Sequence, residues 1–191
     1  MERNEFPSAA EVEQELKREN YKRRYRQVLK STVFALVTAS AVAVLVATLW
    51  LPVLQIYGSS MTPTLNDGEI VFSVKRNHLE QGDVVAFYYN NKILIKRVIA
   101  GPGEWVFVHE DGTVYVNSAK LEEPYLSEKA FGLTDIELPY QVPDGKYFVM
   151  GDHRASSVDS RNTAVGCITI DQIVGKIVFR VWPLEDFGLI S

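Results

Sequence analysis

An uncharged apolar run from Ser31 to Leu51 limits what this chain can fold into more than any other feature of it. A helix rises about 1.5 Å per residue, so about 20 apolar residues cross a hydrocarbon core of about 30 Å. Trp50 and Tyr57 suit the boundary between lipid and water, and Pro52 is a natural end for the helix. The run therefore predicts a transmembrane helix over 31–51.

The basic residues lie on one side of this run. They crowd the segment 17–30, and none follows the run until Lys75. The positive-inside rule then places the N-terminus in the cytoplasm and residues 52–191 outside. We expect a cytoplasmic basic tail over 1–30, either a charged helix or disordered. We also expect a single-pass protein of the plasma membrane that contacts the lipid bilayer.

A cleavable secretory signal is the alternative explanation of the apolar run. The long basic tail and the length of the run argue against it. The bulky sequence LPVLQIY that follows also lacks the small-x-small pattern of a cleavage site. These features favour a retained anchor.

Residues 52–191 show short β-rich runs separated by turn residues. A hairpin is predicted around Asp111-Gly112, and the segment 119–142 is irregular enough to be an extended loop or flap. The fold class is therefore mainly β, an antiparallel β domain behind one N-terminal transmembrane helix. The other predicted strands are Glu69–Val74, Asp83–Tyr89, Lys92–Ala100, Lys146–Asp152 and Ile173–Trp182.

Composition excludes several classes of function. The net charge of −4 argues against a nucleic-acid partner, because such domains are strongly basic. Cys167 is the only cysteine, so the chain can form no internal disulfide and no cysteine zinc site. The three histidines, His78, His109 and His153, are scattered along the sequence. We therefore expect no metal and no other cofactor.

The stretch GSSMTPTL, from Gly58 to Leu65, is the first candidate for chemistry. A serine hydroxyl is a weak nucleophile unless a base takes its proton. Most serines in such turns only form local hydrogen bonds, so this stretch alone does not indicate catalysis.

Lys96 is the second candidate, because it lies in the apolar strand KILIKRVIA. Strand alternation places it on one face with Leu94 and Val98. A lysine held in apolar surroundings has a lowered pKa and can act as a general base. The alternative is an edge-strand lysine whose ammonium reaches water.

The loop MGDHRASSVDSR, from Met150 to Arg161, is the third candidate. It follows a predicted strand, and loops held by a rigid β scaffold often carry function. Asp159 and Arg161 can pair, and its serines can orient an amine. The alternative is a polar surface loop.

Taken together and in this order, the three stretches resemble the type I signal peptidases, which are membrane-anchored serine proteases with a serine–lysine dyad. SMTPTL from Ser60 resembles the nucleophile motif of that family, and KRVIAGPGE from Lys96 resembles its lysine motif. GDVVAF from Gly82 and GDHRASSVDSR from Gly151 resemble two further motifs. The resemblance covers nearly the whole chain beyond the anchor.

The resemblance implies a role for each matching residue. Ser60 would be the nucleophile and Lys96 the general base, with Ser157 hydrogen-bonded to the Lys96 amine. Asp159 and Arg161 would brace the site as an ion pair. The Ser60 N–H would donate to the oxyanion. Gly58 stands where many relatives place a second, hydroxyl donor, so the source of that donor stays open.

The resemblance also implies the substrate: secreted preproteins whose signal peptides are removed after small-x-small sites. The small side chains would be those one and three residues before the cut. The substrate would add as a strand beside the catalytic segments. Ile93 and Leu54 would shape the deeper pocket, and an apolar edge at Trp50, Leu51, Val53 and Leu54 would lie against lipid. The pocket walls would come from Ile56, Tyr57, Met61, Leu65, Leu94 and Ile95.

Three other functions account for part of the sequence. A serine–histidine enzyme is excluded because relatives of that type carry histidine at the position of Lys96, not at His153. Self-cleaving repressors resemble the catalytic core but carry a DNA-binding domain instead of an anchor. A catalytically silent, membrane-anchored interaction module remains, although both Ser60 and Lys96 are intact.

Overall fold

The computed structural model describes residues 9–50 and 52–190, and the side chains of 12–45 and 52–190. Residues 9–49 belong to one compact unit, and residues 50 and 52–190 belong to a second. A single helix of 42 residues, α1, Ala9–Trp50, forms the described part of the first unit and ends at the boundary. Residues 9–30 are therefore helical, which is one of the two structures expected for the tail.

Helix α1 divides by composition into a charged and an apolar part. Its charged part forms exposed ion pairs three or four residues apart, such as Lys17–Glu13 at 2.9 Å and Lys22–Glu19 at 2.8 Å. By length and composition, one helix among the described residues is long and apolar enough to cross a membrane, with a mean hydropathy of 2.0. At about 1.5 Å per residue, α1 is about 63 Å long.

The second unit consists of two β-sheets. The larger sheet has eight strands in the order β1-β2-β11-β3-β4-β9-β10, with β12 paired to β11. Its strands are β1 Val53–Gln55, β2 Ile70–Val74, β3 Val84–Tyr89, β4 Lys92–Ala100, β9 Lys146–Met150, β10 Ile168–Thr169, β11 Ile173–Trp182 and β12 Gly188–Leu189. Short 3-10 turns precede and follow β11, at Ile170–Gln172 and Leu184–Asp186.

The smaller sheet has four strands in the order β7-β6-β5-β8. These are β5 Trp105–Val108, β6 Val114–Val116, β7 Ala119–Lys120 and β8 Tyr140–Gln141. Every strand pair among the described residues is antiparallel, which confirms the predicted fold class. The segment between β7 and β8 has no regular structure, as predicted for most of 119–142.

Three apolar clusters hold these sheets. One packs the small sheet against Ile99 and Phe148, and a second surrounds Phe87 and Val149. The third contains Ile56, Met61 and Leu65, the residues on either side of Ser60. Burying these side chains fixes the segment around Ser60 against the large sheet.

The pairing of β4 leaves part of one edge open. On one side, β4 pairs with β3 in regular register from Lys92 to Arg97. On the other side, β9 pairs only with the segment from Arg97 to Ala100. In the described part of the chain, residues 92–96 of β4 therefore have no strand on that side.

Candidate active site

Ser60 and Lys96, 36 residues apart in the sequence, meet in the structure. The Lys96 Nζ lies 2.7 Å from the Ser60 Oγ, at hydrogen-bonding distance. Lys96 is held by the regular pairing of β4 with β3, and Ser60 by the buried side chains that flank it. A nucleophile and a base at this distance can exchange a proton.

Burial sets the protonation of Lys96, whose side chain is 3% exposed. Loss of hydration disfavours the ammonium and lowers the pKa of Lys96 to about 8. The carboxylates of Asp159 and Asp152 act in the opposite direction, because they favour the charged form. Burial outweighs them, so a substantial fraction of Lys96 is neutral near pH 8.

The backbone around Ser60 is held by hydrogen bonds on both sides. The His153 N–H donates to the Ser60 carbonyl at 3.1 Å, and the Leu65 N–H closes a turn onto the Met61 carbonyl at 2.9 Å. The Ser60 N–H itself has no acceptor within residues 52–190. It is therefore available to an oxyanion.

Gly58 has a left-handed backbone, with φ of +89°, which glycine adopts without strain. Its N–H donates to the Asp67 Oδ1 at 2.6 Å, so that amide is occupied in this structure. Asp67 thereby fixes the turn that leads to Ser60. Sequence reasoning did not single out Asp67.

The expected hydrogen bond between Ser157 and Lys96 is absent, which corrects that prediction. The Ser157 Oγ is buried and has no hydrogen-bond partner in residues 52–190. Its side chain packs against Gly151, and the amine of Lys96 is directed to Ser60 instead. Ser157 still lies beside the site, because Gly151 also contacts the Ser60 carbonyl.

The ion pair predicted between Asp159 and Arg161 is present and wholly buried. The guanidinium donates from Nε to Oδ1 at 2.9 Å and from Nη2 to Oδ2 at 2.8 Å, a bidentate arrangement. Asp159 also accepts the Gly151 N–H at 3.0 Å. The pair therefore fixes the loop that carries Ser157.

A cleft leads from Ser60 along the open edge of β4 and has a volume of about 460 Å³. Of the predicted substrate-binding residues, Ile56, Tyr57, Met61, Leu94 and Ile95 line it. Leu54 and Ile93, expected in the deeper pocket, line it too, as do Gln55, Gly58, Ser60, Asn91 and Lys92.

Leu65 does not line this cleft, contrary to the prediction. It is fully buried and packs with Ile56 and Met61 in the third apolar cluster. The turn between Met61 and Leu65 directs its side chain into the core. Leu65 therefore supports the wall of the cleft rather than forming it.

The predicted apolar edge lies only partly within the described residues. Val53 is exposed and Leu54 is half-buried. Leu51 and the side chain of Trp50 lie outside the described part of the structure.

The sequence of this chain is similar to those of known signal peptidases. The family model for signal peptidase, peptidase S26, matches residues 29–182. The chain is 43% identical over 152 residues to signal peptidase IB of Staphylococcus aureus strain Mu50, covering 69% of this chain and 78% of that protein. It is 40% identical over 165 residues to signal peptidase I of Bacillus amyloliquefaciens, covering 80% and 84% respectively.

The chain belongs to the signal peptidase family, peptidase S26. Its class is therefore that of its relatives, a hydrolase of the serine endopeptidase type. Among solved structures, it is similar to a signal peptidase I from Enterococcus faecalis V583, with 29% identity and a TM-score of 0.45. That similarity covers 52% of this chain and 97% of the other.

This signal peptidase family member has a second buried ion pair, which sequence reasoning missed. Arg97 donates to Asp152 from Nε at 3.0 Å and from Nη2 at 2.8 Å. Thr64 donates to the same carboxylate at 2.5 Å. Because Arg97 follows Lys96 and Thr64 belongs to the turn of Ser60, Asp152 links the two segments that carry Ser60 and Lys96.

A third buried pair connects the long loop to the site. Glu123 accepts a hydrogen bond from Arg154, whose Nε also donates to the Gly151 carbonyl at 3.0 Å. Tyr125, two residues after Glu123, stacks on Arg97 with 3.8 Å between the guanidinium carbon and the ring centroid. The loop expected as a flap therefore braces the loop 150–161 through the buried pair of Glu123 and Arg154.

Replacing Gly151 with alanine is expected to reduce peptidase activity about tenfold or more. A Cβ at this position would lie 2.2 Å from the Ser157 Oγ and 2.5 Å from the Ser60 carbonyl oxygen. Overpacking costs about 1–3 kcal/mol, and here Ser60 must move to relieve it. Gly188→Ala is the matched control, because nothing lies within 4 Å of its added Cβ. Equal cleavage rates for the two variants would contradict the close packing behind Ser60.

Proposed function

We propose that this chain is a membrane-bound protease that removes signal peptides from exported preproteins, with Ser60 as nucleophile and Lys96 as general base. The observation that carries the proposal is the 2.7 Å distance between the Lys96 Nζ and the Ser60 Oγ, with Lys96 buried. Membership in the signal peptidase family supports the substrate class.

In the proposed reaction, neutral Lys96 takes the hydroxyl proton of Ser60 as Oγ attacks the carbonyl carbon of the substrate. The free Ser60 N–H donates to the oxyanion that forms, an interaction typically worth about 3 kcal/mol. The Lys96 ammonium then returns its proton to the leaving amine. The same lysine next takes a proton from the water that hydrolyses the acyl-enzyme.

The surrounding residues are proposed to hold this geometry. The pair of Asp159 and Arg161 orders the loop that carries Ser157. The second oxyanion donor is proposed to come from the turn at Gly58, if Gly58 releases its bond to Asp67.

The substrate is proposed to bind as an added strand along residues 92–96 of β4. The open edge offers backbone hydrogen bonds, and the apolar walls offer room for side chains. Ile56, Met61 and Ile95 are proposed to limit the residues one and three before the cut to small side chains.

The placement in the cell is proposed from the composition of the chain. Residues 31–51 would cross the plasma membrane and residues 1–30 would lie in the cytoplasm, followed by an extracytoplasmic catalytic domain over 52–191. The basic segment 17–30 and the apolar stretch of α1 support this arrangement. Ser60 follows the proposed span by nine residues, so the chain can carry it at most about 30 Å from the end of the span. The bond after the apolar segment of a preprotein is proposed to become accessible within that distance.

The experiment that tests the mechanism is the pH dependence of kcat/KM on a preprotein with an Ala-x-Ala site. Only neutral Lys96 can act as base, so kcat/KM should rise with pH through about 8 and then level off. Above that pH the lysine is mostly neutral, and below it the activity falls about tenfold per pH unit. A rate already at its plateau at pH 6 would contradict Lys96 as the base.

A further inference from the structure

Among the described residues, one charged side chain lies in the wall of the cleft, four residues along β4 from Lys96. Lys92 is the only charged side chain among the described residues that line it. It is exposed, and within the described part of the chain it forms no ion pair. Its sequence neighbours in the lining, Asn91 and Ile93, carry no charge.

The position of Lys92 is fixed relative to the dyad by strand geometry. Lys92 and Lys96 belong to the same strand, and β3 pairs with both in one unbroken register. Side chains alternate along a strand, so Lys92, Leu94 and Lys96 project to the same face of β4. At about 3.3 Å per residue, Lys92 lies about 13 Å from Lys96.

A substrate strand along β4 would bring a defined part of the signal peptide to Lys92. The residue before the cut lies beside Lys96 and Ser60, where its carbonyl is attacked. Since β9 covers β4 from Arg97 to Ala100, the segment before the cut can add only along residues 92–96 and must run parallel to β4. The two strands then advance together, and the fifth residue before the cut lies beside Lys92. Its neighbours, the fourth and sixth, are also within reach of a lysine side chain.

We propose that Lys92 is a specificity-determining residue that favours acidic side chains four to six residues before the cut and disfavours basic ones there. This inference rests on the proposed function, because it takes the dyad to mark the cut. An unpaired ammonium attracts a carboxylate and repels a second cation in the same cleft. The interaction is partly exposed to water and is therefore weakened by salt.

The test compares peptides that share an Ala-x-Ala site and differ only in carrying aspartate or lysine at the fourth, fifth or sixth residue before the cut. An exposed charge pair contributes up to about 1 kcal/mol, so wild-type kcat/KM should favour aspartate about fivefold at low salt. The preference should be largest at one of these three positions and should shrink in about 1 M salt.

Lys92→Glu should reverse the preference, so that the lysine peptide is cut faster than the aspartate peptide. Lys75→Glu is the matched control, since Lys75 is an exposed lysine that follows β2 and does not line the cleft. It makes the same change in net charge and should keep the wild-type ratio of kcat/KM for the aspartate and lysine peptides.

The outcomes separate this inference from the proposed function. Equal cleavage of the aspartate and lysine peptides by the wild type would overturn the role of Lys92 while leaving the dyad intact. The same follows if Lys75→Glu shifts the ratio as much as Lys92→Glu does. If the wild type cuts no peptide and no preprotein, the proposed function fails, and the inference fails with it.

Discussion

Lys96→Met is expected to lower kcat/KM for preprotein cleavage by about 10²–10⁴-fold, the usual contribution of a positioned general base. Methionine fills most of the buried space that Lys96 occupies but cannot accept a proton. Ser60→Ala should be at least as severe, because it removes the attacking oxygen. Cleavage rates at saturating and limiting substrate measure both effects.

Combining these two changes gives a sharper test of the dyad. Residues that act as one catalytic unit are strongly non-additive, so the double variant should be no slower than Ser60→Ala alone. Lys75→Met, a change at an exposed lysine, serves as the control and should retain the wild-type rate. A Lys96→Met variant within about threefold of the wild type would show that another group is the base.

Asp159→Asn is expected to destabilise residues 52–191 by about 3–5 kcal/mol, because it leaves the Arg161 guanidinium buried without a counter-charge. Both side chains are 0% exposed, so water cannot replace the lost carboxylate. Urea denaturation in detergent measures the free energy of unfolding. Asp144→Asn is the matched control at an exposed aspartate and should change it little.

Asp159→Asn should also change the pH dependence of activity, which a loss of stability alone would not do. The Asp159 carboxylate raises the pKa of Lys96, so its removal should lower that pKa and move the pH profile of the folded fraction to lower pH. An Asp159→Asn protein as stable as the wild type would contradict the importance of the pair. An unchanged pH profile would contradict its electrostatic effect on Lys96.

The fold class and the contact between Ser60 and Lys96 could be predicted because their determinants are local or carried by motifs. Alternating apolar residues and turn residues identify the strands, and Lys92–Ala100 has the predicted bounds. The ion pair of Asp159 and Arg161 is two residues apart, so its members stand together in one loop. The contact between Ser60 and Lys96 was predicted from the resemblance of their two motifs to those of the signal peptidases.

The partners of the other buried arginines could not be predicted, because only the tertiary fold brings them together. Arg97 and Asp152 are 55 residues apart, and Arg154 and Glu123 are 31 apart. Neither helical nor strand periodicity in the sequence indicates that such distant residues are paired. Arg97 beside Lys96 was a usable signal, since an arginine in an apolar strand needs a buried acid.

Local packing also explains why the predictions for Leu65 and Ser157 were wrong. Leu65 faces the core because the Leu65 N–H bonds the Met61 carbonyl and closes a turn. The Ser157 Oγ packs against Gly151 and has no partner in the described part of the chain. Such details follow from the backbone path and the side-chain rotamer, which residue type and spacing do not specify.

The central claim is that Ser60 removes signal peptides, and cleavage of a preprotein in lipid vesicles tests it most directly. A preprotein with one Ala-x-Ala site would be incubated with the wild type, Ser60→Ala and Ser59→Ala in turn. Mass spectrometry would then measure the masses of both products. Ser59 is the adjacent, exposed serine and a close control. We expect the wild type and Ser59→Ala to cut after the second alanine and Ser60→Ala to leave the preprotein intact. Cleavage by Ser60→Ala at the wild-type rate, or no cleavage by the wild type, would contradict the account.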